Sequence, residues 1–180
     1  MNWIDEVHVN LKKNNKVLFS KKSDYLLDLI LLFRAQNHRT MALWAFDFAL
    51  ETIEKLEDKY PEETRPREAL EAVQDWAAGK IKMRPAQHKI LACHAFAKEI
   101  ECKEDIAMCH AVGQACAVVH TAGHAIGYPI YDLTSIVYKY GIENCISAVE
   151  ARKQEYIDKI FYWNMHLGDY KGEWADFMRR

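Results

Sequence analysis

The residue types best suited to chemistry lie together in one segment, HAVGQACAVVHTAGHAIG, at positions 110–127. It places His110, His120 and His124, together with the amide of Gln114, among small apolar side chains. Imidazole and amide groups of this kind can bind a metal ion, move a proton or bind a partner. They can also satisfy their hydrogen bonds inside a helical core, and we favour this last interpretation.

The spacing of His120 and His124 is the feature that most favours a metal site. Residues four apart on a helix project from one face, as zinc ligands do, and His94 and His110 could complete a set from neighbouring helices. A zinc hydrolase of the HExxH type also needs a glutamate between its histidines, whereas residues 121–123 are Thr-Ala-Gly. The sequence therefore predicts no metal and no cofactor. A helical metal-dependent enzyme or small-molecule binder built around these four histidines is the alternative.

The rest of the sequence shows no complete catalytic set. Cys93 precedes His94 and Cys109 precedes His110. Neighbouring helical residues point about 100° apart, so neither cysteine can use the histidine beside it as a base. The sequence also has no phosphate-binding glycine loop, serine elbow or paired-carboxylate motif. We therefore predict no catalytic residues and a protein that is not an enzyme.

The elements that must position these residues are helices. Seven glycines and four prolines interrupt 180 residues, and long apolar patterns of period 3.6 lie between them. Asp105 and Asp132 enclose 26 residues that carry no formal charge if their histidines are neutral, and leucine is absent from segment 110–127. Because that segment is too polar for a membrane span, we predict a central helix from about Glu104 to Gly127. It is the buried small-residue helix of an all-α compact multi-helix bundle, with residues 106–126 among the most buried.

The helix boundaries are predicted from capping residues and helix breakers. Residues 1–22 can form either a helix with a tail or a short hairpin, and we treat them as an N-terminal extension. Residues 23–180 are then a single helical domain. The predicted helix starts are Asp24, Thr40, Thr64 with Pro66, and Pro85, the last opening a helix that buries Ile90, Leu91, Ala97 and Ile100.

Composition narrows the possible partners and the compartment. Half of the residues are hydrophobic, 28% are charged and the net charge is −2. These values are ordinary for a globular domain and give no reason to expect nucleic acid or a membrane as partner. Five cysteines without a CxxC pair, and an N-terminus without an apolar core, predict reduced thiols and a cytoplasmic protein. The oligomeric state stays open.

Charge is nevertheless uneven along the chain. Residues 51–75, which we call the acidic stretch, carry nine acids and four bases. Two solvated helix faces are the simplest interpretation, and a surface for a basic partner is the functional one. The motif Arg65-Pro66-Arg67 places two cations at a helix N-terminus, where the dipole disfavours them. We expect them to pair with carboxylates among Glu62, Glu63, Glu68 and Glu71. The candidate partner-binding residues are Glu54, Glu57, Glu62, Arg65 and Arg67.

Four segments of the sequence resemble one protein family. They are TMALWAFDFALETIEKLEDKYP at 40–61, RPREALEAVQDWAAGKI at 65–81, ACHAFAKE at 92–99 and the histidine-containing segment at 110–127. In this order they resemble the fifth-numbered immunity protein family of bacterial polymorphic toxin systems, over a core of about residues 40–140. The signature residues carried over are Arg65, Pro66, Arg67, Trp76, Gly79, His94, Gly113, Gln114, His120 and His124.

This resemblance implies an all-helical protein that binds a cognate toxin domain in the producing cell and neutralises it. Inhibition by occlusion needs surface complementarity and no cofactor. A cytoplasmic immunity protein is therefore our leading interpretation. A structural or oligomerisation module is a third and weaker one.

Overall fold

The protein is all-α, as predicted. A computed structural model describes residues 2–180, which form eight α-helices and four short 3-10 turns. The helices are α1 (Trp3–Lys12), α2 (Leu27–Arg34), α3 (His38–Lys59), α4 (Arg65–Ala77), α5 (Met83–Phe96), α6 (Lys103–Ala117), α7 (Gly127–Tyr140) and α8 (Ile146–His166). No helix within the described residues combines the length and apolar character needed to cross a membrane.

Helix α6 is the centre of the bundle and contacts α3, α4, α5 and α7. Small residues allow this close approach of backbones. The fully or nearly buried side of α6 consists of Ala107, Met108, Cys109, Ala111, Val112, Gly113, Ala115 and Cys116. The predicted buried small-residue central helix is therefore confirmed in its first part.

The central helix ends ten residues earlier than predicted. The backbone amides of Val118, Val119 and His120 bond to carbonyls three residues back, which tightens the last turn and closes the helix. The imidazole Nε2 of His38 donates to the carbonyl of Val118 at 2.6 Å. This carbonyl thus has a partner from another helix, and α6 need not continue. The prediction of one continuous helix through Ile126 is wrong.

Residues 120–126 consequently form a turn instead of a helix. Residues 118 and 119 are still buried, but His120, Thr121 and Gly123 are exposed and His124 is half-buried. The predicted burial of 106–126 is correct up to Val119 and wrong for most of the turn. A 3-10 turn at Ala122–His124 then leads directly into α7.

The N-terminal residues form a helix with an extended tail, which resolves the open choice between helix and hairpin. Trp3 and Val7 of α1, and Leu18 and Phe19 of the tail, are buried in the same hydrophobic core as α3 and α6. The amide of Leu18 donates to Thr134 Oγ1 of α7 at 3.0 Å. The tail is therefore attached to the bundle by apolar contacts and by a buried hydrogen bond.

Three of the predicted helix starts are displaced, among them Pro85, since α5 begins two residues earlier at Met83. Helix α3 begins at His38, and Asn37 caps it, with its side chain accepting a hydrogen bond from the amide of Thr40 at 2.9 Å. Asn37 is as good a capping residue as Thr40 and lies three residues earlier. Asp24 opens a 3-10 turn, and α2 follows at Leu27.

The other breakers act as predicted. Thr64 and Pro66 open α4. Gly79 and Gly141, just after α4 and α7, have φ angles of 79° and 73°, a left-handed conformation that favours glycine.

The prediction that Leu91 is buried is wrong. Helix α5 turns Ala86, Ile90, Cys93 and Phe96 into the core, and Leu91 is 64% exposed. Adjacent residues on a helix point about 100° apart, so burying Ile90 turns Leu91 outward.

Candidate partner-binding surface

His94, one of the signature residues, fixes the contact between α5 and α6. The imidazole lies against Gly113, where a Cβ atom would overlap the ring. Nδ1 of His94 lies 2.8 Å from Nδ1 of His110, so one ring donates a hydrogen bond to the other. Burial, and then the neighbouring His110, lower the pKa of His94 to about 4, and burial also lowers the pKa of His110. At neutral pH both rings are uncharged and link the two helices.

Gln114 occupies a similar position between α6 and α7. Its side chain packs on Gly127, and a Cβ atom there would overlap the amide group. Gly127 is the first residue of α7 and is buried. Gln114, His94 and Gly113 therefore lie between helices, where they determine how closely the helices approach.

Three further signature residues meet at the surface, where α4 ends and the turn after α6 begins. Trp76 stacks on His120 with ring centroids 6.2 Å apart, and His124 lies beside His120 at 6.5 Å. Phe177, near the C-terminus, also stacks on Trp76 at 5.4 Å. Trp76 is 7% exposed, so the indole supports His120 from below while the imidazole faces solvent.

The turn at 120–126 separates two depressions in the surface, and we call the whole region the turn face. A groove of about 420 Å³ lies between the turn and α5, and a cleft of about 340 Å³ lies between the turn and α2. The groove is lined by residues including Arg84, His88, Leu91, His120 and His124. The cleft is lined by residues including Lys21, Phe33, Arg34, Gln36 and Ile126.

The two arginines at the start of α4 have carboxylate partners, as predicted. Arg65 lies 2.7 Å from Glu63 and 2.6 Å from Glu99. Arg67 makes two contacts to Glu57, at 2.5 and 2.7 Å. Glu63 is one of the predicted partners. Glu57 and Glu99 are not, because helix packing, and not the local sequence, brings them close.

The structure divides the acidic stretch into paired and unpaired carboxylates. Glu54 and Glu62 are exposed. Glu57 is bound by Arg67, and this hydrogen bond lowers the pKa of Glu57. Glu68 is similarly bound by Lys89 at 2.6 Å. Part of the charge that marks this stretch in the sequence is thus used within the molecule.

The four histidines of the alternative function form two separate pairs. His94 contacts His110 between helices, and His120 lies beside His124 on the turn. Within residues 2–180 neither pair gains a third ligand close enough to share an ion. The single group of three potential ligands there is Cys102, Glu104 and Asp105. Lys59 and Tyr60 already bind the carboxylate of Asp105, at 2.6 and 2.7 Å.

The cysteines are free thiols, and four of the five are buried. Burial raises the pKa of Cys93 and Cys109, and it raises that of Cys116 to about 12. Because only the thiolate is a good nucleophile, these three side chains are unreactive at neutral pH and act as small apolar groups.

A buried charge network between α3, α7 and α8 is absent from the sequence prediction. Arg152, whose side chain is 9% exposed, lies 2.7 Å from Asp132, 2.8 Å from Glu51 and 2.6 Å from Glu155. Its guanidinium also lies over the ring of Phe48. The hydroxyls of Tyr128 and Tyr156 complete the network.

A signal for this network exists in the sequence. Val149, Arg152, Tyr156 and Ile160 recur at helical spacing along α8, and all four are buried. A charged residue within an apolar stripe indicates a buried ion pair, because an unpaired buried charge is too costly.

The fold and these contacts define a small all-helical protein with an open, histidine-lined surface. Residues 31–160 match the family described as "Imm-5 like putative immunity protein", and the chain belongs to this family. The match confirms the resemblance and extends it from 40–140 into α2 and through most of α8. Neither the curated proteins nor the solved structures contain a match to this chain.

Proposed function

We propose that this protein is a cytoplasmic immunity factor that binds a cognate bacterial toxin domain and neutralises it by occlusion, without catalysis. The observation that carries the proposal is the family match over 31–160, which covers most of the helical bundle. A family of immunity proteins acts on a partner, and a rigid bundle with an open surface is suited to tight binding.

Two features of the molecule support binding in preference to chemistry. Six signature residues have packing or ion-pair partners within the chain: Arg65, Arg67, Trp76, His94, Gly113 and Gln114. The buried thiols are kept protonated by their raised pKa values. A separate observation supports the proposed cytoplasmic location: all five cysteines are free, which is typical of proteins from a reducing compartment.

The experiment pairs this protein with a candidate toxin domain, such as the C-terminal domain of a large secreted protein where the genome encodes one beside this chain. Its production in a test strain is expected to arrest growth, and co-production of this protein to restore it. The two proteins should then copurify as one complex. Failure of a folded, well-expressed protein to restore growth would refute the proposal.

An activity titration separates occlusion from catalysis. Inhibition by occlusion predicts that toxin activity falls in proportion to added protein and reaches zero at a fixed stoichiometric ratio. An enzyme would instead inactivate many toxin molecules per copy, and mass spectrometry would detect a chemical change in the toxin. The second result would favour the enzyme alternative.

A further inference from the structure

Positive charge on the turn face is left unpaired within the molecule. Lys21 and Arg34 line the cleft and Arg84 lines the groove. Within residues 2–180 none of these three cations forms an ion pair. Elsewhere Arg65, Arg67, Arg152 and Lys59 are all bound by carboxylates.

Neither depression of the turn face is lined by an acidic residue. His88, His120 and His124 line the groove and carry no negative charge. Lys21 also acts on His124, whose pKa is lowered by burial first and then by the charge of Lys21. His120 and His124 of the turn line the groove, and Ala122 and Gly123 between them line the cleft, so the two depressions adjoin across the turn.

Large apolar side chains are exposed in the groove and on the neighbouring helix α2. Leu91 in the groove is 64% exposed, and Leu27 and Leu31 on α2 are 54% and 56% exposed. Leu27, Ile30, Leu31 and Arg34 recur at helical spacing and so share one face of α2. The opposite face of α2 is buried through Leu29 and Phe33. On the outer face Ile30 is partly buried against the core, whereas Leu27, Leu31 and Arg34 are exposed.

We propose that the turn face is the docking surface for the toxin domain, and that the contacting segment of the toxin is acidic with apolar anchors. This inference rests on the proposed function and names the chemistry of its partner. Negative charge on the partner would complement the unpaired cations, and apolar groups would cover the exposed leucines. Nucleic acid would match the charge but not the leucines, so a protein is the better fit.

The test compares two turn-face variants with one control variant in their association with the toxin domain. Arg84→Glu and Leu91→Asp are single variants of the turn face. The control is a double variant of the acidic stretch, Glu54→Lys with Glu62→Lys. All four positions are exposed, so the variants should fold as the wild type does, which circular dichroism and thermal melting will verify. Arg84 lies in the first turn of α5, where glutamate favours the helix.

Arg84→Glu is expected to slow association about 10-fold at low salt, and the difference should shrink as salt is added. Leu91→Asp should accelerate dissociation, because it removes an apolar anchor. The acidic-stretch variant should bind like the wild type or slightly faster. If it binds more slowly while the turn-face variants bind normally, the docking surface lies on the acidic stretch and the inference is wrong.

A second readout does not depend on the toxin. Fluorescence anisotropy would measure binding of three labelled probes: a helical Leu/Glu peptide, a Leu/Lys peptide of equal length and a short DNA duplex. We expect the wild type to prefer the Leu/Glu peptide, and Arg84→Glu to lose that preference. Preference for either other probe, or no binding to any, would overturn the inference. Peptide binding without toxin neutralisation would instead retain the surface and refute the proposed function.

Discussion

Charged side chains are used differently in two regions of this molecule. Along α3, α4 and α8, several cations and carboxylates satisfy one another, from the partly exposed contact of Arg67 with Glu57 to the buried contact of Arg152 with Asp132. On the turn face, Arg34 and the other cations lie beside exposed leucines and carboxylates do not line the depressions. The densest charge in the sequence is thus partly used in folding, whereas the sparser cations of the turn face form no ion pair within residues 2–180.

The largest effect is expected where charge is buried. Arg152→Met should lower the free energy of unfolding by about 3–5 kcal/mol, because it leaves Asp132 buried without its cation. Arg84→Met on the turn face is the matched control and should change it by less than about 0.5 kcal/mol. Chemical denaturation measures both. Equal stability of the two variants would remove the contrast between the regions.

The next effect concerns the glycines. Gly113→Leu should cost about 1–3 kcal/mol or more, because the new side chain displaces His94 and forces the helices apart. At Gly123 on the turn a Cβ atom meets only Thr121 Oγ1, at 3.9 Å. Gly123→Leu should therefore leave the thermal melt nearly unchanged. A Gly113→Leu melt as close to the wild type as that of Gly123→Leu would mean that α5 and α6 can separate without penalty.

A pH effect of intermediate size follows from the pair of His94 and His110. The pKa of His94 falls from about 6.5 in an unfolded chain to about 4 in the folded one. The unfolded state thus binds more protons between these values, and stability should fall as the pH drops from 6.5 towards 4. His94→Asn should show a shallower fall in this window when urea midpoints are compared. A slope identical to the wild type would place the titrating group elsewhere.

The smallest effect should come from the partly exposed ion pair between α3 and α4. A double-mutant cycle of Glu57→Gln and Arg67→Gln should give a coupling energy of about 0.2–1 kcal/mol. Charge reversal at Glu54 and Glu62 alone should have almost no effect on melting. A coupling energy well above this range would mean that the acidic stretch is more important to folding than its exposure suggests.

Sequence periodicity predicts most of this fold, because long apolar stripes and clear breakers determine where helices form. Gly79 and Gly141 end helices as predicted. The end of α6 could not be predicted, since it depends on His38, 80 residues away, reaching the carbonyl of Val118. For the same reason Glu99 and Glu57 are not predictable as partners of Arg65 and Arg67.

The candidate site is less predictable than the fold. The signature residues are visible in the sequence, but their separation into His94 and Gly113 between helices and His120 on the surface depends on tertiary packing. Leu91 belongs to the surface only because Ile90 occupies the core. The partner-binding assignment of Glu54, Glu57, Glu62, Arg65 and Arg67 stays a prediction, which competes with the turn face.

Hydroxyl-radical footprinting of the free protein and of its complex with the toxin domain tests the central claim most directly. The method reports the solvent exposure of individual side chains in both regions at once. We expect Leu91, Leu31 and His120 to lose reactivity in the complex, and Leu50 beside the acidic stretch, 38% exposed in the free protein, to keep it. Protection of Leu50 with unchanged reactivity of Leu91 and His120 would contradict the claim that the turn face binds the toxin.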